Sequence, residues 1–173
     1  GKPDPAALGA ALQQALAGYT AAGNVSGQAA IYNNLSLAYR ALGLYRHSNR
    51  MAQRAIEIRK RTHDFNAIAN GLTILAGNDV LAGDAKAARA CHAGLSALES
   101  EPGIDQDGVW SLGIDWGAAW LCIAEHDGVA ALPLLRSVLA QVESYAETSF
   151  RILVEADICE ASLLRGDVST ALE

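Results

Sequence analysis

Residues 32–45 read YNNLSLAYRALGLY and carry small and bulky apolar side chains in a regular order. Tyr32, Leu35 and Tyr39 are spaced by three and four residues, so they share one face of a helix. Ser36 lies beside Leu35 and leaves a notch in that face. We expect this notch to receive a neighbouring helix, because small side chains let two helix backbones approach closely.

The composition is that of a folded chain. Of 173 residues, 51% are hydrophobic and 18% are charged, which is ample for a packed core in one domain. The longest nearly apolar run, 117–124, is far too short to cross a bilayer. The start lacks an initiator Met and a signal segment, and the last residues begin a helix that stops after about two turns. We therefore expect a fragment of a longer protein.

The three cysteines are widely spaced within apolar segments and form no Cys-x-x-Cys motif. Cys91, Cys122 and Cys159 are therefore expected to be small core residues in a reducing, cytoplasmic setting rather than metal ligands. His92 directly follows Cys91 and so points about 100° away from it around a helix, which argues against a shared zinc site.

Charge divides the chain into two halves. Residues 1–98 hold 10 Lys/Arg and 5 Asp/Glu, whereas residues 99–173 hold 3 and 14, respectively. Seven of the thirteen basic residues lie in 40–61, a pattern that raises the possibility of nucleic-acid binding. The acidic half would repel phosphate, and only Tyr45 interrupts the basic run as an aromatic residue. A solvated helix face is therefore favoured over a nucleic-acid site.

Gly and Asp signals divide the chain into segments with helical periodicity, and no segment alternates with period two. The fold class is therefore predicted to be all-α. The expected helices are 4–22, 25–42, 45–62, 65–82, 85–99, 108–126, 129–143, 146–165 and one from 168 onward.

Equivalent turns return about every forty residues. Gly43, Gly83, His126 and Gly166 align at intervals of 40, 43 and 40. Glycine tolerates the left-handed backbone that ends a helix, and a following Asp can cap the next one. The same alignment groups two sets of small residues, one on each helix of a hairpin: Ser36, Ala76, Ala119 and Cys159, and then Ser48, Ala88, Ala131 and Ala171.

The unit Tyr32-x-x-Leu35-Ser36-x-x-Tyr39, followed by Gly43-x-Tyr45, Ser48 and Ala55, resembles the tetratricopeptide repeat (TPR) family. Repeats near forty residues resemble the longer ones of bacterial multidomain regulators. The resemblance implies a right-handed TPR-like superhelix of antiparallel helical hairpins over the single domain 1–173. Its expected parts are a half repeat at 4–22, repeats at 25–62, 65–99 and 108–143, and a truncated one at 146–173.

No catalytic constellation or cofactor motif stands out, so no enzyme activity and no cofactor are expected. His63 adjoins Asp64, but Asp64 is more simply the N-cap of the next helix. Asp105 and Asp107 lie in a longer acidic loop, 99–108, which lacks the other ligands of a calcium loop. Asp79 and Asp115 occupy slots that are usually apolar or aromatic. A buried carboxylate there must find partners or shift its pKa, and local solvent access is the simpler explanation.

By the same resemblance, the first helix of each hairpin lines a concave groove that binds a protein or peptide. The partner-binding residues expected there are Asn33, Leu37, Arg40, Asn70, Thr73, Trp116, Trp120 and Glu160, with Gly77 and Ala156 beside them. Asn33 and Asn70 could bracket a peptide backbone, and Arg40 could pair with a carboxylate.

The sequence leaves the location of two residues undecided and allows two functions. Trp116 and Trp120 lie one helical turn apart and are either core residues or groove residues. The alignment favours the groove, so Trp120→Ala is expected to leave the melting temperature almost unchanged. The function expected is a non-catalytic protein-binding scaffold within a larger bacterial regulator. The alternative is a structural superhelix that associates with itself through its ends, with head-to-tail attraction between the two charged halves.

Overall fold

The computed structural model describes residues 5–106, 108–144 and 148–167. In these ranges the chain forms eight α-helices and one 3₁₀ turn, without a strand. The helices are α1 (Pro5–Ala21), α2 (Val25–Ala41), α3 (Tyr45–Arg61), α4 (Phe65–Leu81), α5 (Ala85–Ser96), α6 (Val109–Ala124), α7 (Gly128–Ser144) and α8 (Thr148–Arg165), with the 3₁₀ turn at Ala97–Ser100. The all-α prediction is confirmed. The expected helix from residue 168 lies outside the described residues.

In the first half of the chain, the same unit of one helix followed by one turn recurs. Helices α1 to α4 each have 17 residues, and helices begin at residues 5, 25, 45, 65 and 85. The turns between them contain Gly23, Gly43, His63 and Gly83, all with positive φ. The repeat alignment compared every second one of these turns, and the predicted helix bounds also placed breaks at the others. His63 has a φ of 52°, so a histidine occupies a position that glycine fills without strain.

Aspartates cap the helices that follow several of these turns. The side chain of Asp64 accepts a hydrogen bond from the backbone N–H of Ala67 at 3.1 Å. Asp84 and Asp127 make the equivalent bond to the third residue onward, each at 2.9 Å. These bonds satisfy backbone donors that have no partner within the helix. The assignment of Asp64 as a cap is confirmed.

Consecutive helices pack as antiparallel neighbours, and the even-numbered helices also contact one another. Helix α4 contacts both α2 and α6, and α6 also contacts α8. Helices α2, α4, α6 and α8 therefore form an inner layer, and the helices paired with them lie outside it. This is a TPR-like arrangement of stacked hairpins.

The notch at Ser36 is filled by the partner helix. Ser36 and Ser48 are both fully buried, and their hydroxyl oxygens are 3.0 Å apart. Ser48 Oγ also donates to the backbone carbonyl of Ser36 at 2.8 Å. Helices α2 and α3 meet at this point because neither side chain is large enough to separate them. The aligned pairs are buried too at Ala76, Ala88, Ala119 and Ala131, whereas Cys159 is half-buried and Ala171 lies outside the described residues.

A chain of polar side chains runs through the interior from this contact. Asn78 Nδ2 donates to Ser48 Oγ at 2.7 Å and to Asn49 Oδ1 at 2.8 Å. Asn49 Nδ2 in turn donates to Asp79 Oδ1 at 2.6 Å. The Cys91 thiol lies 3.7 Å from the other oxygen of Asp79. The network connects α2, α3, α4 and α5 through hydrogen bonds in the core.

Asp79 is only 9% exposed, so solvent access does not explain its place in an apolar slot. Burial raises its pKa, and the hydrogen bonds from Asn49 and Cys91 partly oppose that rise. Asp115 differs because it is half-buried and accepts hydrogen bonds from Ser137 at 3.1 Å and Gln141 at 2.9 Å. The sequence-based explanation by solvent access therefore fits Asp115 better than Asp79.

Replacing Ser48 with valine should lower the free energy of unfolding by about 1–3 kcal/mol, because the extra volume has no space between α2 and α3. The change also removes the acceptor for Asn78 Nδ2. Urea denaturation followed by circular dichroism measures the loss. Ser96→Val is the matched control on an exposed site of α5 and should stay within about 0.5 kcal/mol. Equal effects at the two sites would contradict a tight contact at Ser48.

Asp79→Asn should raise the melting temperature near pH 7, because an amide accepts the Asn49 hydrogen bond without burying a charge. The pKa of Asp79 is raised above its ordinary value of 3.8 in the folded state, so the unfolded state releases this proton first as pH rises. The melting temperature of the wild type should therefore fall as the pH rises from about 4 through the raised pKa of Asp79. The difference in melting temperature between the variant and the wild type should accordingly shrink toward pH 4. Melting curves across that range test this, with exposed Glu57→Gln as control. A pH-independent difference would contradict it.

Candidate functional site

The inner layer of helices encloses a groove of about 770 Å³, called here the inner groove. All of its lining residues come from α2, α4, α6 and α8, the even-numbered helices. They are Leu37, Arg40, Ala41, Asn70, Thr73, Ile74, Gly77, Val80, Leu81, Leu112, Gly113, Trp116, Trp120, Ile123, Leu153, Ala156, Asp157 and Glu160. Most are apolar, and the charged members are Arg40, Asp157 and Glu160.

Seven of the eight residues expected to bind a partner line the inner groove: Leu37, Arg40, Asn70, Thr73, Trp116, Trp120 and Glu160. Asn33 does not. It lines a smaller adjoining cleft of about 180 Å³ together with Arg59 and Asn70. Asn70 therefore borders both spaces, and the two asparagines face the same cleft.

Two tryptophans and one carboxylate connect α6 to α8. The rings of Trp116 and Trp120 have centroids 4.9 Å apart. Both indole N–H groups donate to Oδ2 of Asp157, Trp116 at 2.6 Å and Trp120 at 2.9 Å. The shared acceptor fixes both rings against the next inner helix, and their edges form part of the wall of the inner groove.

Arg40 reaches across α4 to the same aromatic pair. Its guanidinium carbon lies 5.5 Å from the centre of the Trp120 ring, within range of a cation–π contact. Gly77 of α4 lies beneath them, and a Cβ there would be 2.7 Å from Arg40 Nη1 and 2.8 Å from Trp120. The absence of a side chain at Gly77 therefore lets residues of α2 and α6 meet over α4.

Burial changes the proton affinities of both charged residues beside the tryptophans. The pKa of Arg40 is lowered because burial desolvates the guanidinium, an effect that the negative charge of Asp157 partly opposes. The pKa of Asp157 is raised by burial, against the two indole hydrogen bonds and the positive charge of Arg40. Both shifts follow from charge in a poorly hydrated groove.

Trp116 and Trp120 turn out to be core and groove residues at once. They are 4% and 6% exposed and pack within the main apolar cluster, yet they also line the inner groove. The expectation that Trp120→Ala spares the melting temperature is therefore wrong on physical grounds. Removing so buried a ring leaves a cavity and costs about 3–5 kcal/mol.

Sequence reasoning missed Asp157, which holds the tryptophans in place. The alignment assigned its neighbours Ala156 and Glu160 to the groove but not Asp157 itself. The available signal was an acidic residue placed between the apolar Ala156 and Ile158. Its partners lie 37 and 41 residues earlier, a separation that no local pattern reports.

No metal site emerges from the part of the chain that the structure describes, where no group of three or more His, Cys, Asp or Glu residues could hold an ion. Burial and the charge of Asp79 raise the pKa of the Cys91 thiol to about 12, so it is a poor nucleophile. No helix among these residues has the length and apolar character required to span a membrane. The inner groove is thus the strongest candidate for a binding site.

Gly77→Ala and Gly94→Ala provide a matched test of the contact over α4. At Gly94 a Cβ would meet only Leu72 at 3.6 Å, so alanine should stabilise α5 by about 0.5–1 kcal/mol. At Gly77 the clash with the Trp120 ring should outweigh that gain and lower stability by about 1–3 kcal/mol. Urea denaturation of both variants measures the difference in sign. If both substitutions stabilise the chain equally, the close crossing is refuted.

Residues 28–66 match the family model described as Tetratricopeptide repeat. The matched segment contains α3, most of α2 and the first residues of α4, and thus the hairpin formed around Ser36 and Ser48. No curated protein matches the sequence of the chain. The matched hairpin is therefore similar to a tetratricopeptide repeat, and the TPR-like stack of helices that continues from it supports the same family.

Proposed function

We propose that this chain is a non-catalytic scaffold that binds a segment of a partner protein in its inner groove. Tetratricopeptide repeats commonly serve as protein-interaction scaffolds and generally lack catalytic activity. The observation that carries the proposal is the position of the groove, which all four inner helices line without help from the outer ones. A larger regulator containing this repeat domain would use it to recognise that partner.

The chemistry of the groove supports a segment with apolar side chains. Leu37 and Leu153 are 42% and 45% exposed and lie on α2 and α8, so apolar surface is available at both sides of the groove. Burying such surface is the main source of affinity in protein interfaces. Asn70 and Thr73 provide polar groups between them that could pair with a peptide backbone.

Selection from a random peptide library displayed on phage tests this function, with the chain immobilised and enriched peptides resynthesised. Leu37→Glu places a charge in the groove at an exposed position and should weaken those peptides at least tenfold by calorimetry. Val129→Glu makes the same change at a site that is 67% exposed and lies outside the groove, and it should change affinity less than twofold. Circular dichroism establishes that both variants fold. Failure to enrich any peptide, or equal weakening by both variants, would contradict groove binding.

Self-association through the ends is the second candidate, and exposed apolar residues of α8 favour it. Ile152 and Leu163 are 61% and 56% exposed on this last described helix. Light scattering over a range of concentrations separates the two functions. A monomer at all concentrations would exclude end-to-end association, whereas an oligomer that weakens with added salt would indicate attraction between the charged halves. An oligomer that strengthens with salt would indicate the apolar end.

A further inference from the structure

The side chain of Arg40 has unused hydrogen-bonding capacity in a poorly hydrated place. A guanidinium carries five N–H donors. Within residues 5–106, 108–144 and 148–167 it forms no ion pair and no hydrogen bond, and its contact is with the face of Trp120. Burial removes part of the hydration of this half-buried guanidinium, and an incoming anion would compensate for that loss.

The nearby acidic residues that the structure describes do not form an ion pair with Arg40. Asp157 Oδ2 already accepts from both indoles, and it attracts Arg40 through space without forming an ion pair with it. Glu160 is exposed, so water screens its charge. Arg40 is therefore a cation of the inner groove without a hydrogen-bonding partner among the described residues, whereas Oδ2 of Asp157 already accepts two hydrogen bonds.

The rest of the groove suits an apolar molecule of small size. Its volume of about 770 Å³ lies within the range of roughly 300–1,000 Å³ found for small-molecule sites, which are typically apolar with a few polar groups. Leu37, Ile74, Leu112 and Ile123 contribute aliphatic surface near Arg40 and the two tryptophans. A ligand matching this lining has an apolar body and a single anionic head.

We propose that the inner groove also binds a small amphiphilic carboxylic acid, whose carboxylate pairs with Arg40 and whose hydrocarbon body packs against the tryptophan wall. A planar carboxylate matches the fork of a guanidinium, which can donate two parallel hydrogen bonds to it. Such a ligand occupies the space proposed for the partner segment and would compete with it. This assigns the groove an effector role beyond that of a scaffold.

Octanoate is the probe, and the three indole N–H signals in a ¹⁵N–¹H spectrum are the readout. Trp116 and Trp120 line the groove, whereas Trp110 lies outside its lining and donates to the carbonyl of Leu95 at 2.8 Å. Octanoate should shift the first two signals saturably and leave the third in place. Octan-1-ol and octylammonium, which lack the carboxylate, should bind at least tenfold more weakly than octanoate.

Variants separate the head-group contact from general apolar binding. Arg40→Gln should weaken octanoate at least tenfold, whereas Arg50→Gln removes an exposed arginine of α3 and should leave binding unchanged. Glu160→Gln removes a repelling charge at the groove and should tighten binding by about twofold to threefold. An unchanged Trp110 signal verifies that each variant is folded.

Three results would overturn the proposal: no saturable shift at millimolar octanoate, octan-1-ol binding as tightly as octanoate, or equal octanoate affinity for wild type and Arg40→Gln. None of these measurements uses a peptide. Their failure would leave the scaffold function intact, and failure of the peptide selection would leave the octanoate result intact.

Discussion

Paired helices of this fold approach each other closely at small residues, and the packing of the other side chains follows from that close approach. Ser36 and Ser48 are fully buried and bonded to each other, so α2 and α3 meet with almost no side-chain volume between them. Alanines occupy the equivalent points of later hairpins. Because these contacts hold each pair of helices close, the larger side chains are directed toward neighbouring hairpins. Packing between hairpins, including the tryptophan wall, follows from that arrangement.

The interior departs from apolar packing where the polar network begins. Asn78 is fully buried and donates two hydrogen bonds, but its Oδ1 has no partner among the described residues. Asp79 adds a desolvated carboxyl group. Such groups reduce stability, yet each fixes the relative position of specific helices because its hydrogen bonds tolerate little displacement. The network thus holds the register of the first two hairpins at some thermodynamic cost.

A second set of long-range contacts defines the inner groove. Arg40 of α2, Trp120 of α6 and Asp157 of α8 meet across the inner face, and Gly77 of α4 leaves space for them. One chain of contacts therefore links all four inner helices. The same residues bring charge into an apolar, partly dehydrated space, and the two ligands proposed for the groove rest on that combination.

The positions of the helices, their order and the small contact residues could be predicted from the amino-acid sequence, because turn signals and helical periodicity are local. The observed helices begin and end within a few residues of their predicted bounds, and most residues assigned to the inner face line the groove. The contacts of those residues could be identified only in the folded chain. Whether Asp79 is hydrated, whether Trp120 is core or groove, and that Asp157 holds the tryptophans all depend on neighbours about 30 to 40 residues away. Such contacts arise from the packing of whole helices, which no local pattern encodes.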